Sequence, residues 1–524
     1  MPSDLHALQE RLRDVNALRA AIAIMDWDQQ TYMPRGGAEA RAEHVGILSK
    51  MAHGMLTADE TRDLIDKAKA EDEDCTAMLR VIRRDFDLAT RIPTVLVSEK
   101  SRLAAIAHED WVKARANNDF KSFAPTLERM FEIARQEAEH LGYTDHLYDA
   151  LLDQYEEGAT AADARQMLEE LKQPTVELVR MIQQQPRIDD SKLYGEWDQD
   201  KQRKFTEMLV KAIGFDFDRG RQDTAPHPFC TGWSVNDVRL TTRYKPYIGS
   251  AIFGSLHEAG HGLYEQNAPA QWDRTPLAGG VSLGLHESQS RTWENIVGRS
   301  KAFWQRFLPE LQAEFPELSS FGVESWYRAI NKVEPSLIRV EADEVTYNLH
   351  VLVRFEIECD VLTGSLAIKD MPEAWNAKYE QYLGIRPKTD SEGCLQDVHW
   401  SQGSIGYFPT YSIGNLLSYQ IWNKLDADLG GAETLIEKGE FRPILDWLSE
   451  KIYRKGRKYT PKHLVAHVTG KPMEAQDYLA GLGAKYSEST AWVRWRRCGA
   501  GVRVRGPVCR RLEHDGGTVP LLTV

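Results

Sequence analysis

Two histidines and a glutamate with the spacing of a metal site stand in the segment HEAGH, residues 257–261. His257 and His261 are four positions apart, so on a helix they lie on one face and can reach the same metal ion. This HExxH pattern is typical of zinc-dependent peptidases, in which imidazole nitrogens bind the metal. Glu258 lies beside the pair, where its carboxylate can act as a base toward water without ligating the metal. The pattern predicts one divalent ion per chain, zinc, and metal-assisted hydrolysis.

Apolar residues around the motif favour a buried helix. The apolar face consists of Ile252, Phe253, Leu256 and Leu263. Gly260 and Gly262 each weaken a helix by up to ~1 kcal/mol relative to alanine. Because they lack side chains, they also permit close approach by a neighbouring element.

A catalytic zinc also needs a third protein ligand and an open coordination position. The later segment GLHESQSRTWEN offers His286 and Glu287, after a gap long enough for a loop and the start of a second helix. Both residue types bind zinc, and sequence spacing alone does not decide between them.

Residues 280–284, GVSLG, formally match the GxSxG motif of serine hydrolases. That motif must join a strand to a helix, and no buried strand is visible before it. We therefore expect Ser282 to match by coincidence.

The remaining chain is mostly helical in pattern. Thr160 followed by Asp163 resembles a capping pair, and amphipathic runs fill the region from Trp326 to Leu362. The first helix has apolar residues at helical spacing, with Ser3 as its cap: Leu5, Leu8, Leu12, Val15 and Leu18.

Strand signals are scarce, and the best is DVRLTTRY, from Asp237 to Tyr244. Alternate residues give one apolar face and one charged face, which suits a strand at the wall of a cleft. We expect the polar face to align a peptide backbone by edge pairing.

The absence of repeats and of Gly/Ser linkers predicts one large helical domain over residues 1–486. From 487 to 524 the sequence becomes basic and loses its apolar periodicity. A nucleic-acid or partner-binding tail is one interpretation, and a disordered appendage is the one we favour.

Composition limits the class of protein. The 524 residues carry a net charge of −13, which argues against nucleic acid as a partner, since phosphate contacts need clustered Lys and Arg. No apolar stretch is long enough to span a bilayer, and the N-terminus lacks a signal core, so no membrane partner is expected. The six cysteines form no CxxC pair and suit reduced thiols in the cytoplasm.

Further motifs follow one another in order along the chain. They are HPF at 227–229, DVRLT at 237–241, HEAGH at 257–261, HESQ at 286–289, IRVEAD at 338–343 and GCLQDVHW at 393–400. Together they resemble the signatures of the carboxypeptidase Taq family, thermostable zinc metallocarboxypeptidases of the HExxH gluzincin type. Trp27-Asp28-Gln29 and Met33-Pro34 are also similar to the family. The likeness covers roughly residues 5–486, whereas the segment after Tyr486 departs from it.

This resemblance implies a mainly α fold, a single large helical domain with a deep active-site groove and a small β-sheet at its wall. It implies removal of single residues from peptide C-termini, with broad side-chain tolerance. Glu287 would be the third ligand, the metal would be zinc or cobalt, and the chain would form a homodimer.

The resemblance also suggests substrate contacts. Arg339 would receive the substrate's terminal carboxylate, because a guanidinium fork binds a carboxylate bidentately. The alternative is a structural ion pair with Glu341 or Asp343. Tyr407 would donate its hydroxyl to the developing oxyanion, with core packing as the alternative. Further candidates, for which structural hydrogen bonding is an equal alternative, are His227, Arg239, Asp397 and His399.

Two other functions stay open. The same zinc centre without a carboxylate receptor would serve a metallo-endopeptidase or a dipeptidase. A non-catalytic helical scaffold would keep the metal for stability, but Glu258 argues against this, because a structural site needs no base.

Overall fold

The computed structural model describes residues 4–490, which fold into 20 α-helices and a three-stranded sheet. This confirms the predicted mainly α class with a small sheet. In chain order the helices are α1 (Asp4–Thr31), α2 (Ala38–Thr57), α3 (Asp59–Lys67), α4 (Glu73–Arg91), α5 (Thr94–Asn117), α6 (Phe120–Leu141), α7 (Leu147–Asp153), α8 (Ala161–Gln183), α9 (Gln199–Ala212), α10 (Gly249–Gln266), α11 (Leu283–Arg291), α12 (Lys301–Glu314), α13 (Val323–Ile330), α14 (Tyr347–Leu362), α15 (Met371–Leu383), α16 (Pro409–Leu429), α17 (Ala432–Lys438), α18 (Arg442–Lys451), α19 (Pro461–Thr469) and α20 (Gln476–Thr490). The strands are β1 (Gly220–Thr224), β2 (Cys230–Ser234) and β3 (Asp237–Thr242).

Helices α1 to α4 pack around a small apolar core of their own, to which Trp272 and Leu277 contribute. The predicted stripe on α1 points into this core, and four of its five residues are buried: Leu5, Leu8, Leu12 and Val15. Helix α8 begins at the predicted capping pair, since the Thr160 hydroxyl accepts from Asp163 N and the Asp163 carboxylate accepts from Thr160 N, both at 3.1 Å. The predicted Ser3 cap lies outside the described residues.

The region from Trp326 to Leu362 is not one continuous helix. Helix α13 ends at Ile330 and α14 begins at Tyr347. Pro335 lies in the intervening segment, where its missing N–H cannot continue a helical ladder. A short 3-10 turn, Arg339–Glu341, lies in this break. The interruption therefore presents Arg339 from a loop rather than from a helix face.

The sheet has the order β1-β3-β2, with β1 parallel and β2 antiparallel to β3. The predicted strand is thus confirmed, and Val238 and Leu240 on its apolar face are fully buried. The expectation that β3 pairs with a peptide by its edge is wrong, because both of its edges are occupied by neighbouring strands. The sheet rests on α10, where a Cβ on Gly262 would lie 2.7 Å from Leu240 Cδ2.

Helices α10, α11 and α16 approach one another very closely. A Cβ on Gly260 of α10 would lie 2.6 Å from Gln289 O of α11, and one on Gly414 of α16 would lie 2.4 Å from Glu287 Cγ. The predicted close approach at Gly260 and Gly262 is therefore confirmed. These contacts fix Glu287 between the helix that carries HEAGH and the helix that begins at Pro409.

Helix α20 runs to Thr490, past the predicted boundary at Tyr486. It is tied to the body because Lys485 Nζ donates to Glu344 Oε2 at 2.5 Å and the Tyr478 hydroxyl donates to Glu344 O at 3.0 Å. Residues 491–524, most of the predicted tail, lie outside the described residues, so the division at 486 stays a prediction. Cys75, Cys230, Cys359 and Cys394 are free thiols. Between residues 4 and 490, no helix has both the length and the apolarity of a membrane span.

Candidate active site

The side chains of His257, His261 and Glu287 converge between α10 and α11. The Nε2 atoms of both histidines lie 3.6 Å from Glu287 Oε2, and one ligand atom from each residue falls within 4.8 Å of the other two. The two imidazole rings are 5.0 Å apart, as the four-residue spacing predicts. Two imidazoles and one carboxylate match the donor set of a catalytic zinc site, so these residues fit a divalent ion.

Each histidine is held from behind through its other ring nitrogen. His257 Nδ1 lies 2.9 Å from Glu294 Oε2, and His261 Nδ1 lies 2.8 Å from His286 Nδ1. His286 in turn places Nε2 2.6 Å from Glu265 Oε1. Such contacts fix the tautomer and the ring orientation of metal ligands. Of the two candidates for the third ligand, Glu287 joins the cluster directly, whereas His286 lies one contact behind it.

Glu287 is 5% exposed and is held by its own helix. Arg291 Nε donates to Glu287 Oε1 at 2.7 Å, and Ser290 Oγ donates to Glu287 Oε2 at 3.1 Å. Residues 292–297 continue α11 as a π-helical turn, which brings Glu294 against His257. Arg299 Nη2 donates to Glu294 Oε1 at 3.3 Å.

The pKa values of this cluster indicate that it attracts positive charge. Burial lowers the pKa of His257, but the carboxylates of Glu287 and Glu294 outweigh it and raise the pKa to about 9. Burial also opposes ionisation of Glu287, yet Arg291 and His257 hold its pKa well below its usual range. Within the protein alone, a proton on His257 therefore supplies part of the charge that a cation would provide.

Glu258 is 6% exposed and lies beside the histidines without joining their cluster. Burial raises the pKa of its carboxyl to about 7, an effect that the charge of His257 offsets only in part. Within residues 4–490 no side chain hydrogen-bonds to this carboxylate. It is thus an uncommitted, buried acid–base group next to the candidate metal ligands.

A second cluster surrounds Arg339, which is 4% exposed. Its Nε and Nη2 donate to Asp397 Oδ1 at 3.0 and 2.9 Å, and its Nη1 donates to the Tyr347 hydroxyl at 2.8 Å. Arg354 Nε donates to Asp397 Oδ2 at 2.6 Å. The expected alternative partners are not used, because Glu341 faces Lys245 and the Asp343 carboxylate accepts from backbone N–H groups. Asp397 therefore lies between two buried arginines.

Aromatic residues pack against the Arg339 guanidinium. The guanidinium carbon lies 5.1 Å from the Tyr411 ring centre and 5.5 Å from that of Phe408. Tyr407 packs against Tyr411, with ring centres 5.2 Å apart. Burial and then the charge of Arg339 lower the pKa of His399 to about 4, so this ring is neutral at pH 7. His399 Nδ1 is buried without a hydrogen-bond partner among the described residues.

The two other predicted substrate contacts lie on or beside the sheet, and the charge of Arg339 acts on His227. Arg239 is stacked between indoles, 4.2 Å from the Trp27 ring centre and 4.7 Å from that of Trp233. It also donates to Asp237 Oδ1 at 3.0 Å, so it fastens the end of α1 to the sheet. His227 is exposed on the loop before β2. Partial burial lowers its pKa, and the charge of Arg243 lowers it further.

Ser282, the serine of the GVSLG segment, caps α11 by accepting from Leu285 N at 3.2 Å. No strand precedes it within residues 243–281. Its environment is that of a helix cap rather than of a nucleophile.

The sequence did not single out the residues that balance the two clusters. Arg291 follows Glu287 by four positions, a spacing that places the two side chains on one helix face and could have revealed their contact. Glu294, three positions after Arg291, has the same kind of signal. The residues without such a local signal are Glu265, Arg299, Tyr347 and Arg354.

Comparison with known proteins identifies related chains. The family model described as "Carboxypeptidase Taq (M32) metallopeptidase" matches residues 7–486. Thermostable carboxypeptidase 1 of Thermus thermophilus is 40% identical over 497 residues, which cover 92% of this chain and 98% of that protein. Carboxypeptidase 1 of Bacillus subtilis is 38% identical over 483 residues, covering 91% and 96%.

Among solved structures, the M32 carboxypeptidase from Deinococcus radiodurans superposes with a TM-score of 0.91 at 39% identity, covering 93% of this chain and 99% of that one. Metallocarboxypeptidase 1 of Trypanosoma cruzi superposes with a TM-score of 0.88 at 34% identity, covering 92% and 99%.

Proposed function

The chain belongs to the carboxypeptidase Taq (M32) family of metallopeptidases, and from this premise we propose that it removes single residues from peptide C-termini with zinc and a glutamate base. The family supports a metal-dependent carboxypeptidase. Its metal, its catalytic residues and its broad side-chain tolerance are our proposals.

His257, His261 and Glu287 would hold one zinc ion per chain, with cobalt as a functional substitute. The donor set favours zinc, because imidazole and carboxylate together suit a borderline-soft ion. A bound zinc ion supplies Lewis-acid chemistry at the scissile carbonyl. Glu294 and His286 would orient the two imidazoles through the contacts behind them.

Glu258 would serve as general base. Its carboxylate takes a proton from the attacking water and then delivers one to the leaving amine nitrogen, so that it ends the cycle as it began. Its lack of a hydrogen-bond partner and a pKa of about 7 support this role, since a base works best when its pKa lies near the operating pH.

Arg339 would bind the terminal carboxylate of the substrate. Three of its five N–H groups are engaged by Asp397 and Tyr347, which leaves one N–H on each terminal nitrogen. Two neighbouring donors form the fork that a carboxylate accepts bidentately. Arg339 and Arg354 share one buried carboxylate as ion-pair partner, Asp397, so these three side chains carry an excess of positive charge. This excess is the observation that carries the proposal.

Tyr407 would donate its hydroxyl to the oxyanion, and His399 would contact the substrate. The pKa of Tyr407 is raised by burial, and charges of both clusters act on it, the negative charge of Glu287 and the positive charge of Arg339. Its position near both clusters supports contact with a scissile peptide bond that lies between the metal site and Arg339. The unpartnered Nδ1 of His399 supplies a further polar contact for a bound peptide. Asp397 would position Arg339 rather than touch substrate.

A peptide mixture digested by zinc-loaded protein and followed by mass spectrometry tests the proposal. We expect ladders that lose one residue at a time from the C-terminus. Internal fragments or released dipeptides would instead favour the endopeptidase or dipeptidase. No hydrolysis by protein that holds one zinc per chain would favour the non-catalytic scaffold.

We also propose a homodimer in the cytoplasm. Apolar side chains are exposed on the neighbouring helices α1 and α2: Ile24 at 41%, Ile47 at 53% and Met51 at 51%. Such a surface supports contact with a second copy. Light scattering is expected to give twice the chain mass, and a monomer would contradict the dimer. The free thiols support a reducing compartment.

A further inference from the structure

Tyr347 touches both buried clusters, although neither the HExxH motif nor the receptor motif contains it. It is the first residue of α14 and is 6% exposed. Its hydroxyl accepts from Arg339 Nη1 at 2.8 Å. On its ring lies the guanidinium of Arg291, with Cζ 4.7 Å from the ring centre, and Arg291 holds Glu287. One side chain thus spans the distance between the carboxylate receptor and the third metal ligand.

We infer that Tyr347 is a positioning residue with two separable parts. Its hydroxyl orients Arg339 toward a free C-terminal carboxylate, and its ring supports Arg291 and thereby Glu287. This inference rests on the proposed function and assigns a specificity-determining role within it.

The hydroxyl decides which N–H groups of Arg339 face the substrate. Asp397 holds the guanidinium from one side only, through Nε and Nη2 to a single oxygen. Without a further acceptor, no second hydrogen-bond partner opposes a tilt of the guanidinium about that oxygen. The Tyr347 hydroxyl supplies the second fixed point, and an oriented fork loses less entropy when it binds a carboxylate.

The ring acts on the other cluster. Arg291 is buried among Glu287, Glu294 and Tyr347, and an aromatic face stabilises a desolvated guanidinium. Because Arg291 Nε donates to Glu287 Oε1, the ring indirectly fixes the carboxylate that ligates the metal. Substitution of a residue that hydrogen-bonds to a metal ligand typically lowers metal affinity ~10–100-fold.

The local backbone explains why Tyr347 is held firmly. The Asp343 carboxylate accepts from the backbone N–H groups of Val345 and Thr346, both at 2.9 Å, and from the Thr346 hydroxyl at 2.9 Å. Tyr347 N donates to Asp343 O at 3.0 Å. The first turn of α14 is thus fixed next to the loop that carries Arg339.

Two substitutions separate the parts. Tyr347→Phe keeps the ring and removes only the hydroxyl, so we expect KM for a free-acid peptide to rise about tenfold. Its kcat is expected to stay within about twofold and its zinc affinity to match the wild type. Tyr347→Leu removes both parts, and its zinc dissociation constant is expected to rise ~10-fold above that of the wild type. Tyr143→Phe is the matched control, since the exposed Tyr143 hydroxyl contacts only Glu139.

The assay compares a peptide with its C-terminal amide, and zinc affinity is measured with a competing chelator. If the wild type does not prefer the free acid, the proposed carboxypeptidase function fails. Suppose instead that the wild type prefers the free acid. If Tyr347→Phe then cleaves both peptides at wild-type rates, or loses the same factor on the acid and on the amide, only the role of Tyr347 fails. Unchanged zinc affinity in Tyr347→Leu would overturn the role of the ring. Should the leucine variant not fold, the phenylalanine variant still decides on the hydroxyl.

Discussion

Around His257 and His261 carboxylates outnumber arginines, whereas around Asp397 arginines outnumber carboxylates. The first cluster contains three carboxylates and two arginines: Glu258, Glu287, Glu294, Arg291 and Arg299. The second contains one carboxylate and two arginines: Asp397, Arg339 and Arg354. Buried charge is costly unless a partner meets it. A divalent cation would complete the first cluster, and a peptide carboxylate would complete the second.

Not every buried ion pair of the molecule has this imbalance. Glu344 is 9% exposed, and its ion pair is one to one, with Lys485. Tyrosine hydroxyls donate to its remaining acceptor positions, such as that of Tyr419 at 2.9 Å. A balanced pair of this kind is expected for a structural contact, and this contrast supports our proposal that the two unbalanced clusters bind ligands.

The largest effect is expected from removing the third ligand. Glu287→Ala deletes a metal ligand and leaves Arg291 with Glu294 as its carboxylate partner. We expect loss of zinc and of detectable hydrolysis together, measured by metal analysis and peptide cleavage. Glu317→Ala, at an exposed glutamate, serves as control. One zinc per chain in Glu287→Ala would show that another residue ligates the metal.

The next effect concerns stability at the second cluster. Asp397→Ala leaves two buried arginines without a carboxylate, which is expected to cost about 3–5 kcal/mol of the free energy of unfolding. Arg339→Ala leaves a balanced pair of Asp397 with Arg354 and is expected to cost less. Denaturant unfolding of both variants measures the difference. A greater loss in Arg339→Ala would mean that the cluster is a structural network with no excess charge for a ligand.

Glu258→Gln tests the base and leaves the three proposed metal ligands in place. The amide keeps the shape of the side chain but cannot accept the proton of water. We expect turnover to fall at least ~100-fold while zinc is retained. Turnover close to that of the wild type would remove Glu258 from the chemistry.

Arg339→Ala is expected to have the smallest effect on catalysis. Loss of hydrogen bonds to a charged group costs roughly 1.5–3 kcal/mol, so kcat/KM on free peptides is expected to fall about 10- to 200-fold. Arg339→Lys keeps the charge but not the fork and is expected to recover only part. For peptides with an amidated C-terminus, which the wild type is expected to cleave slowly, Arg339→Ala is expected to lower kcat/KM only slightly further. An equal loss on both kinds of peptide would contradict a receptor role.

Local patterns predicted much of this architecture. The HEAGH spacing predicted two histidines on one helix face, alternation predicted β3, and Thr160 with Asp163 predicted the start of α8. Each of these signals lies within a few residues of the chain, where periodicity and capping act directly.

What the sequence did not predict depends on contacts between distant segments. The pairing of Arg339 with Asp397 joins residues 58 positions apart. From the sequence alone, the nearby Glu341 and Asp343 were the more obvious ion-pair partners. The indoles that enclose Arg239 come from separate elements, α1 and β2, so no local pattern predicted this stacking. The occupied edges of β3 could not be foreseen either, because β1 and β2 carry weak strand patterns.

The most direct test of the two unbalanced clusters compares one peptide as its free acid and as its C-terminal amide, with zinc-loaded wild-type protein. The two substrates differ only in the charge that Arg339 is proposed to receive. We expect kcat/KM for the amide to be at least ~10-fold lower than for the free acid. Equal rates would contradict it, because the positive excess around Asp397 would then serve no substrate carboxylate.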